Sequence, residues 1–261
     1  RDRSVSRGLG DVYKRQVEEQ LKLVFPNVRC LRMDMDTTSG KTAHRDILDA
    51  FTRREADVLI GTQMVAKGLD IPNVTLVGVV FADSTLFHSD FRSSERTFQL
   101  LTQVAGRAGR ADKEGRVVIQ TNAPGHRAIR LCTKHDYKTF YNLEIGDRLR
   151  TLFPPFAVFV RAQFACADEN AAADAAERFA NGVTKTILTA LKPANAENEL
   201  VFALAGAAPI RRREGLFRYA VIIKLVRTAN TAAAINAIYA FSDGCADECY
   251  RGIEVNPQDM L

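Results

Sequence analysis

The fold turns on residues 58–80: Val58-Leu59-Ile60-Gly61-Thr62-Gln63-Met64-Val65-Ala66-Lys67-Gly68-Leu69-Asp70, then Ile71-Pro72-Asn73-Val74, then Thr75-Leu76-Val77-Gly78-Val79-Val80. A short apolar run, Val58 to Gly61, gives way to a polar loop with two glycines' worth of freedom around Lys67. The second run, Thr75 to Val80, is apolar on both alternating faces, as a strand buried in a parallel sheet should be. Working outward, Val17 to Leu23 predicts a short amphipathic helix stopped by Pro26, and Val28 to Met33 a strand. Ile47, Leu48 and Phe51 recur at helical spacing. Ser94 to Ala105 predicts a helix and Arg116 to Gln120 a further strand. Strands alternating with helices predict an α/β unit built on a parallel sheet with flanking helices.

A second unit begins near Phe153-Pro154-Pro155-Phe156, where the proline pair breaks any helix and suits a hinge. Ala128 to Leu152 reads as a helical connector. Beyond the hinge come a strand (Ala157 to Ala165), an alanine-rich helix (Ala171 to Leu191), strands at Leu200 to Leu204 and Phe217 to Val226, a helix (Ala229 to Phe241) and a last strand (Gly252 to Val255). The order βαββαβ predicts a smaller, ferredoxin-like α+β domain, a fold that does not by itself specify function. The predicted division is 1–16, 17–127, 128–155 and 156–261.

The first sixteen residues, RDRSVSRGLGDVYKRQ, are polar and basic and show no clean apolar period. They read as a disordered tail or as sequence foreign to the gene, with a basic arm touching DNA as the alternative. They also lack the apolar core of a signal peptide. Lys and Arg total 36 against 31 Asp and Glu, a net charge of +5, so charge alone does not mark a nucleic-acid binder. No segment reaches the apolar length that spans a bilayer. The five cysteines are scattered and odd in number, which favours a reducing cytoplasm over a disulfide scaffold. Cys245 and Cys249 form an isolated CxxxC with no second pair nearby and read as ordinary thiols.

The chemistry concentrates in two segments of the first unit. In Gln103-Val104-Ala105-Gly106-Arg107-Ala108-Gly109-Arg110 the two arginines are three apart and can point to one side of a turn. Gly106 and Gly109 remove side chains that would block close approach. Guanidinium forks suit a transferring phosphoryl group; a solvated basic helix end is the alternative. After Val58 to Ile60, the loop offers the Thr62 hydroxyl, the Gln63 amide and the Lys67 cation, which suit nucleic-acid phosphates. Asp70 suits a ribose hydroxyl or an arginine, or acts as a cap.

GTQMVAKGLDIPNVTLV (61–77) resembles motif V of superfamily 2 helicases, and QVAGRAGR (103–110) resembles their motif VI. The stretch from Ala82 to Leu101 resembles the PriA family of replication-restart DNA helicases in particular, as do Val17 to Asp34 and the Phe153–Phe156 hinge. The resemblance runs from Val17 onward and weakens after Arg161. It implies a second RecA-like lobe in which Arg107 and Arg110 reach ATP phosphates, with Gln103 and Gly106 in the same motif. Gly68 and Asp70 would lie near the nucleotide, and Thr62, Gln63 and Lys67 near the DNA backbone.

The loop carrying Phe87, His88, Phe91 and Arg92 resembles an aromatic-rich segment that couples DNA binding to ATP hydrolysis, and aromatics beside a cation suit stacking on unpaired bases. Core packing is the alternative for Phe91, and the favoured reading for Phe98. In the C-terminal domain, Arg218 and Arg227 are candidate partner contacts, and Arg211, Arg212 and Arg213 form a basic turn. Implied ligands are ATP and Mg²⁺, single-stranded and forked DNA, single-stranded DNA-binding protein, primosome proteins and the replicative helicase loader. The family also carries zinc, whose ligands do not occur in these residues. No GxxxxGK[ST] loop and no acidic DExH segment is present either, so the 261 residues alone are expected to be without ATPase activity. A non-catalytic nucleic-acid or protein-binding module is the competing reading. An RNA helicase lobe would share motif VI but not the Phe87 to Arg96 segment.

Overall fold

The computed structural model describes residues 3–33, 43–62, 74–88, 90–106, 115–191 and 199–257, with side chains from 12 in the first helix and from 45 in the second. Two compact units result. One comprises Arg1–Phe87 and Ser94–Tyr137; the other comprises His88–Ser93 and Lys138–Leu261.

The first unit begins with helix α1 (Arg3–Val24), followed by β1 (Cys30–Met33), α2 (Ala43–Thr52) and β2 (Val58–Gly61). β1 and β2 pair in parallel, with Cys30 opposite Val58 and Met33 opposite Gly61. Then come β3 (Leu76–Val79), the single turn α3 (Asp83–Leu86), α4 (Ser93–Ala105), β4 (Arg116–Ile119) and α5 (Arg127–Cys132). β3 and β4 pair in parallel, with Leu76 opposite Arg116. The parallel pairing agrees with the sequence expectation.

Residues 3–16 are helical and continue into the predicted helix, and Tyr13 on this helix stacks on Phe81 with ring centroids 6.5 Å apart. An aromatic anchor and the absence of proline allow the helix to extend through a segment whose apolar period is poor. β3 is not buried on both faces: Leu76 is 60% exposed, and on β4 Val118 is 53% exposed.

The carboxyl ends of β3 and β4 are tied together. The Ala82 N–H donates to the Gln120 carbonyl at 3.0 Å, and the Phe81 N–H to Gln120 Oε1 at 3.3 Å. Just beyond, the buried Asp83 carboxylate accepts from Thr121 Oγ1 at 2.6 Å and from the Asn122 N–H at 2.7 Å. These donors stabilise the anion and hold the carboxyl below its ordinary range. The ends of parallel strands are where α/β folds place their ligands, and this knot holds one such end rigid. Phe98, 2% exposed, and Leu101, 1% exposed, bury the inner face of α4, which settles Phe98 as a core residue.

The second unit contains most of α6 (Tyr137–Arg150), then β5 (Ala157–Cys166), α7 (Glu169–Ala190), β6 (Leu200–Arg213), β7 (Leu216–Val226), α8 (Thr231–Asp243) and β8 (Tyr250–Val255). The sheet order is β6-β7-β5-β8, with every pairing antiparallel. That is the split βαβ arrangement of a ferredoxin-like fold. Val160, Ala162 and Phe164 alternate on β5 and, with Val221, Ile223 and Leu225 of β7, face the core. Ala172, Ala175, Ala176, Phe179, Val183 and Ile187 of α7 recur at helical spacing and are buried. Small alanines let the helix approach the sheet closely. The helix starts at a capped end, with Asp168 Oδ1 accepting from the Ala171 N–H at 2.8 Å.

β6 is far longer than its five predicted residues. Gly206, Pro209 and the arginine run carry weak strand propensity, yet pairing with β7 carries the strand out to Arg213. Glu214 and Gly215 turn the hairpin with φ of 52° and 83°, the left-handed pair that a tight two-residue hairpin requires.

Candidate functional site

The predicted site residues fall into three groups. Gln63, Lys67, Gly68, Asp70, Arg107 and Arg110 lie outside the described residues. Those described in the first unit stand at element ends. Thr62 is exposed and follows the carboxyl end of β2 directly. Gln103 is exposed on the last turn of α4. Gly106 follows that turn, and its N–H closes the helix by donating to the Thr102 carbonyl at 3.1 Å. Phe87, 66% exposed, follows α3. The motif V-like segment therefore leaves a parallel strand and the motif VI-like segment leaves a buried helix, two rigid supports for polar groups.

The third group lies in the second unit. Phe91 and Arg92 belong to it although the chain places them between β3 and α4. Phe91 is half-buried and stacks on Phe153 at 5.1 Å, with Phe159 at 6.4 Å. The guanidiniums of Arg92 and Arg148 lie 4.9 and 5.0 Å from its ring centroid. This is the packing alternative for Phe91, and it leaves Phe87 as the exposed ring of the loop. Arg92 forms a two-point pair with the buried Asp90 carboxylate, Nε to Oδ1 and Nη2 to Oδ2 both at 3.0 Å, and also donates to the Pro257 carbonyl at 3.3 Å. Arg218 is half-buried on β7 opposite Ala165. Arg227, exposed just past β7, is fixed by its N–H donating to the Phe156 carbonyl at 2.8 Å.

Arg227 borders a cavity of about 720 Å³ that sequence reasoning missed. Its walls include Phe91, Arg92, Arg148, Pro154, Pro155, Val158, Ile235 and the first turn of α8. They come from five separate stretches, so no motif could announce the cavity. The Pro154–Pro155 peptide on its wall is cis. At the start of α8, Thr231 Oγ1 accepts from the Thr228 N–H at 2.8 Å, and the Asn230 N–H donates to Thr228 Oγ1 at 3.1 Å. A hollow lined by apolar side chains, three arginines and the first turn of α8 suits a ligand that is apolar at one point and anionic at another.

Of the basic turn, Arg211 pairs with Glu169 and Arg212 lies 4.9 Å over the Phe217 ring. Cys249 is buried, and its thiol is pushed up to about 12 by burial first and then by the Cys166 thiol beside it. Among the described residues no cluster of three metal-ligating side chains occurs.

Residues 12–112 match the helicase conserved C-terminal domain family. Relatives extend the similarity into the second unit. The replication restart protein PriA of Bacillus subtilis (strain 168) is 44% identical over 223 residues, covering 85% of this chain and 27% of the relative. That of Synechocystis is 50% identical over 145 residues, 56% of this chain and 17% of the relative. That of Treponema pallidum is 39% identical over 192 residues, 73% of this chain and 28% of the relative. The chain belongs to the PriA family. It spans roughly a quarter or less of the length of the PriA proteins it matches. Its first unit is the RecA-like helicase C-terminal lobe of that family. Among the described residues no helix is long and apolar enough to cross a membrane.

Proposed function

We propose that these residues supply the second motor lobe and the C-terminal domain of an ATP-dependent, 3′-to-5′ DNA helicase. The helicase recognises stalled or branched forks and starts primosome assembly, in the cytoplasm. The observation that supports this most is the placement of Gln103 and Gly106 at the end of the buried helix α4. Arg107 and Arg110 follow that helix end directly in the chain. In this reading the two arginines stabilise charge on the phosphates of Mg²⁺-bound ATP, and Gly68 and Asp70 flank the nucleotide. Thr62, Gln63 and Lys67 contact the DNA backbone and Phe87 stacks on an unpaired base. Without a phosphate loop the 261 residues hydrolyse no ATP alone. The test is DNA-stimulated hydrolysis on mixing with a separately expressed amino-terminal half of a PriA protein, in wild type and Arg110→Ala.

A second reading, a protein-interaction module, is favoured by the cavity beside Arg227 and can coexist with the first. We propose that it takes the acidic tail of single-stranded DNA-binding protein, one carboxylate meeting Arg227 and an apolar side chain entering the hollow. Arg218, the primosome proteins and the helicase loader remain candidate contacts of the same domain. Salt-sensitive binding of an acidic peptide that is weakened by Arg227→Ala supports it; unchanged binding in that variant counts against it.

A further inference from the structure

The hollow beside α8 has Arg92, Arg148 and Arg227 among its lining residues, and two of the three come with their own carboxylates. Asp90, whose side chain is fully buried, grips Arg92 through both oxygens at 3.0 Å. Glu144 accepts from Arg148 Nε at 3.2 Å, and both of those side chains are largely buried. For Arg227 no ion pair is found among the described residues, and the residue is exposed.

The arrangement has a local cause. Arg92 and Arg148 both lie within 5.0 Å of the Phe91 ring centroid, so two like charges stand beside one aromatic ring. Each is tolerable there only with a counter-ion close by. The consequence for a ligand is separate from that cause. An anion entering the hollow meets two neutralised guanidiniums and one uncompensated one. Its electrostatic gain is that of a single cation, although the wall carries three.

We infer that Asp90 and Glu144 are built-in counter-ions that set the affinity and selectivity of this pocket. They hold it to ligands with one well-placed carboxylate and an apolar neighbour, and away from dense polyanions that would draw on all three arginines. A polyanion's affinity grows with the number of cations free to neutralise it. A peptide carboxylate needs one charge-assisted bond at Arg227, plus burial against Pro155, Val158 and Ile235. The inference rests on the reading of this pocket as a site for an acidic peptide.

The test is fluorescence anisotropy of a labelled acidic decapeptide with apolar residues at its carboxyl end, titrated with the full chain. Asp90→Asn keeps an oxygen to accept from the Arg92 N–H, a bond of 2.8 Å in the wild type, and removes the charge. It should tighten binding about fivefold at low salt, with a steeper salt dependence. Glu144→Gln, on a different element, should tighten it by a similar factor. Circular dichroism confirms that each variant is folded. Binding that is unchanged or weaker in both folded variants, while Arg227→Ala still weakens it, overturns the counter-ion inference and leaves the peptide reading intact. Wild-type protein that fails to bind the peptide overturns the peptide reading and this inference with it.

Discussion

The ring of Phe91 lies on that of Phe153, with centroids 5.1 Å apart and planes 16° from parallel. Phe91 comes from the segment between β3 and α4, and Phe153 from the stretch leading into the Pro154–Pro155 bond. Phe159 joins the same cluster, 5.7 Å from Phe153. An aromatic residue that the sequence offers for base stacking is thus engaged in packing, while Phe87 in the same loop stays exposed.

Phe91→Ala should destabilise the second unit. Full removal of a buried phenylalanine costs about 3–5 kcal/mol; for a half-buried ring about 2 kcal/mol is expected. Phe87→Ala, at an exposed position, should leave stability unchanged within about 0.5 kcal/mol and weaken single-stranded DNA binding by about 1–3 kcal/mol. Urea denaturation and DNA titration of both variants measure this. The reverse pattern, a stable Phe91→Ala with lost DNA binding, would return Phe91 to the DNA.

Asp57 supplies an acid-sensitive link in the first unit. Side-chain and backbone hydrogen bonds from Arg29 hold its carboxyl down to about 2. An unfolded aspartate titrates near about 3.9, so the pair's contribution is complete above that pH and is lost as pH falls through the folded value. The stability difference between wild type and Asp57→Asn should stay constant from neutral pH to about pH 4 and shrink between about pH 4 and 2. The effect should be small, because both side chains are about half exposed. A difference that is flat throughout would remove Asp57 from the acid response.

Gly182 on α7 faces the Phe241 ring, and an added Cβ would meet Phe241 Cζ at 2.5 Å. Replacing a helical glycine with alanine gains about 1 kcal/mol of propensity, while overpacking costs about 1–3 kcal/mol. The clash should win, and Gly182→Ala should lower stability by about 1 kcal/mol. A stabilised variant would mean that Phe241 moves aside freely.

The parallel pairing, the βαββαβ order and the buried face of α4 were all legible, because each rests on a period of apolar residues that survives in the fold. Phe98 was legible for the same reason. The helix through residues 3–16 was not, since a distant ring, Phe81, stacks on it. Nor was the outer half of β6, whose strand character comes from its partner β7 and not from Gly206 or Pro209. The exposed face of β3 shows why TLVGVV misled: apolar composition on both faces does not ensure that both are covered. Among site residues, Thr62 follows β2, and Gln103 and Gly106 lie at the end of α4. The fate of Phe91 and the cavity beside Arg227 depend on contacts between distant stretches that no local pattern records.

Lys224 gives a pH response of opposite sense to Asp57. It is buried on β7 against Phe153, Phe159 and Phe202, at 4.7, 5.5 and 5.7 Å, and donates to the Thr151 carbonyl at 2.8 Å. Burial lowers its pKa. The folded protein therefore releases this proton before the unfolded chain does. Stability of the second unit should rise with pH between the folded value and the ordinary lysine value of about 10.4. Lys224→Met should abolish that rise. An equal rise in wild type and variant, followed by urea denaturation, would assign it to other groups.

The most direct measurement is DNA-stimulated ATP hydrolysis by this chain alone and mixed with the amino-terminal half of a PriA protein. The chain alone should be silent, the mixture should turn over ATP, and Arg107→Ala or Arg110→Ala should abolish that turnover. Equal turnover in mixtures containing the wild type and Arg110→Ala, or turnover by the chain alone that Arg110→Ala abolishes, would contradict this.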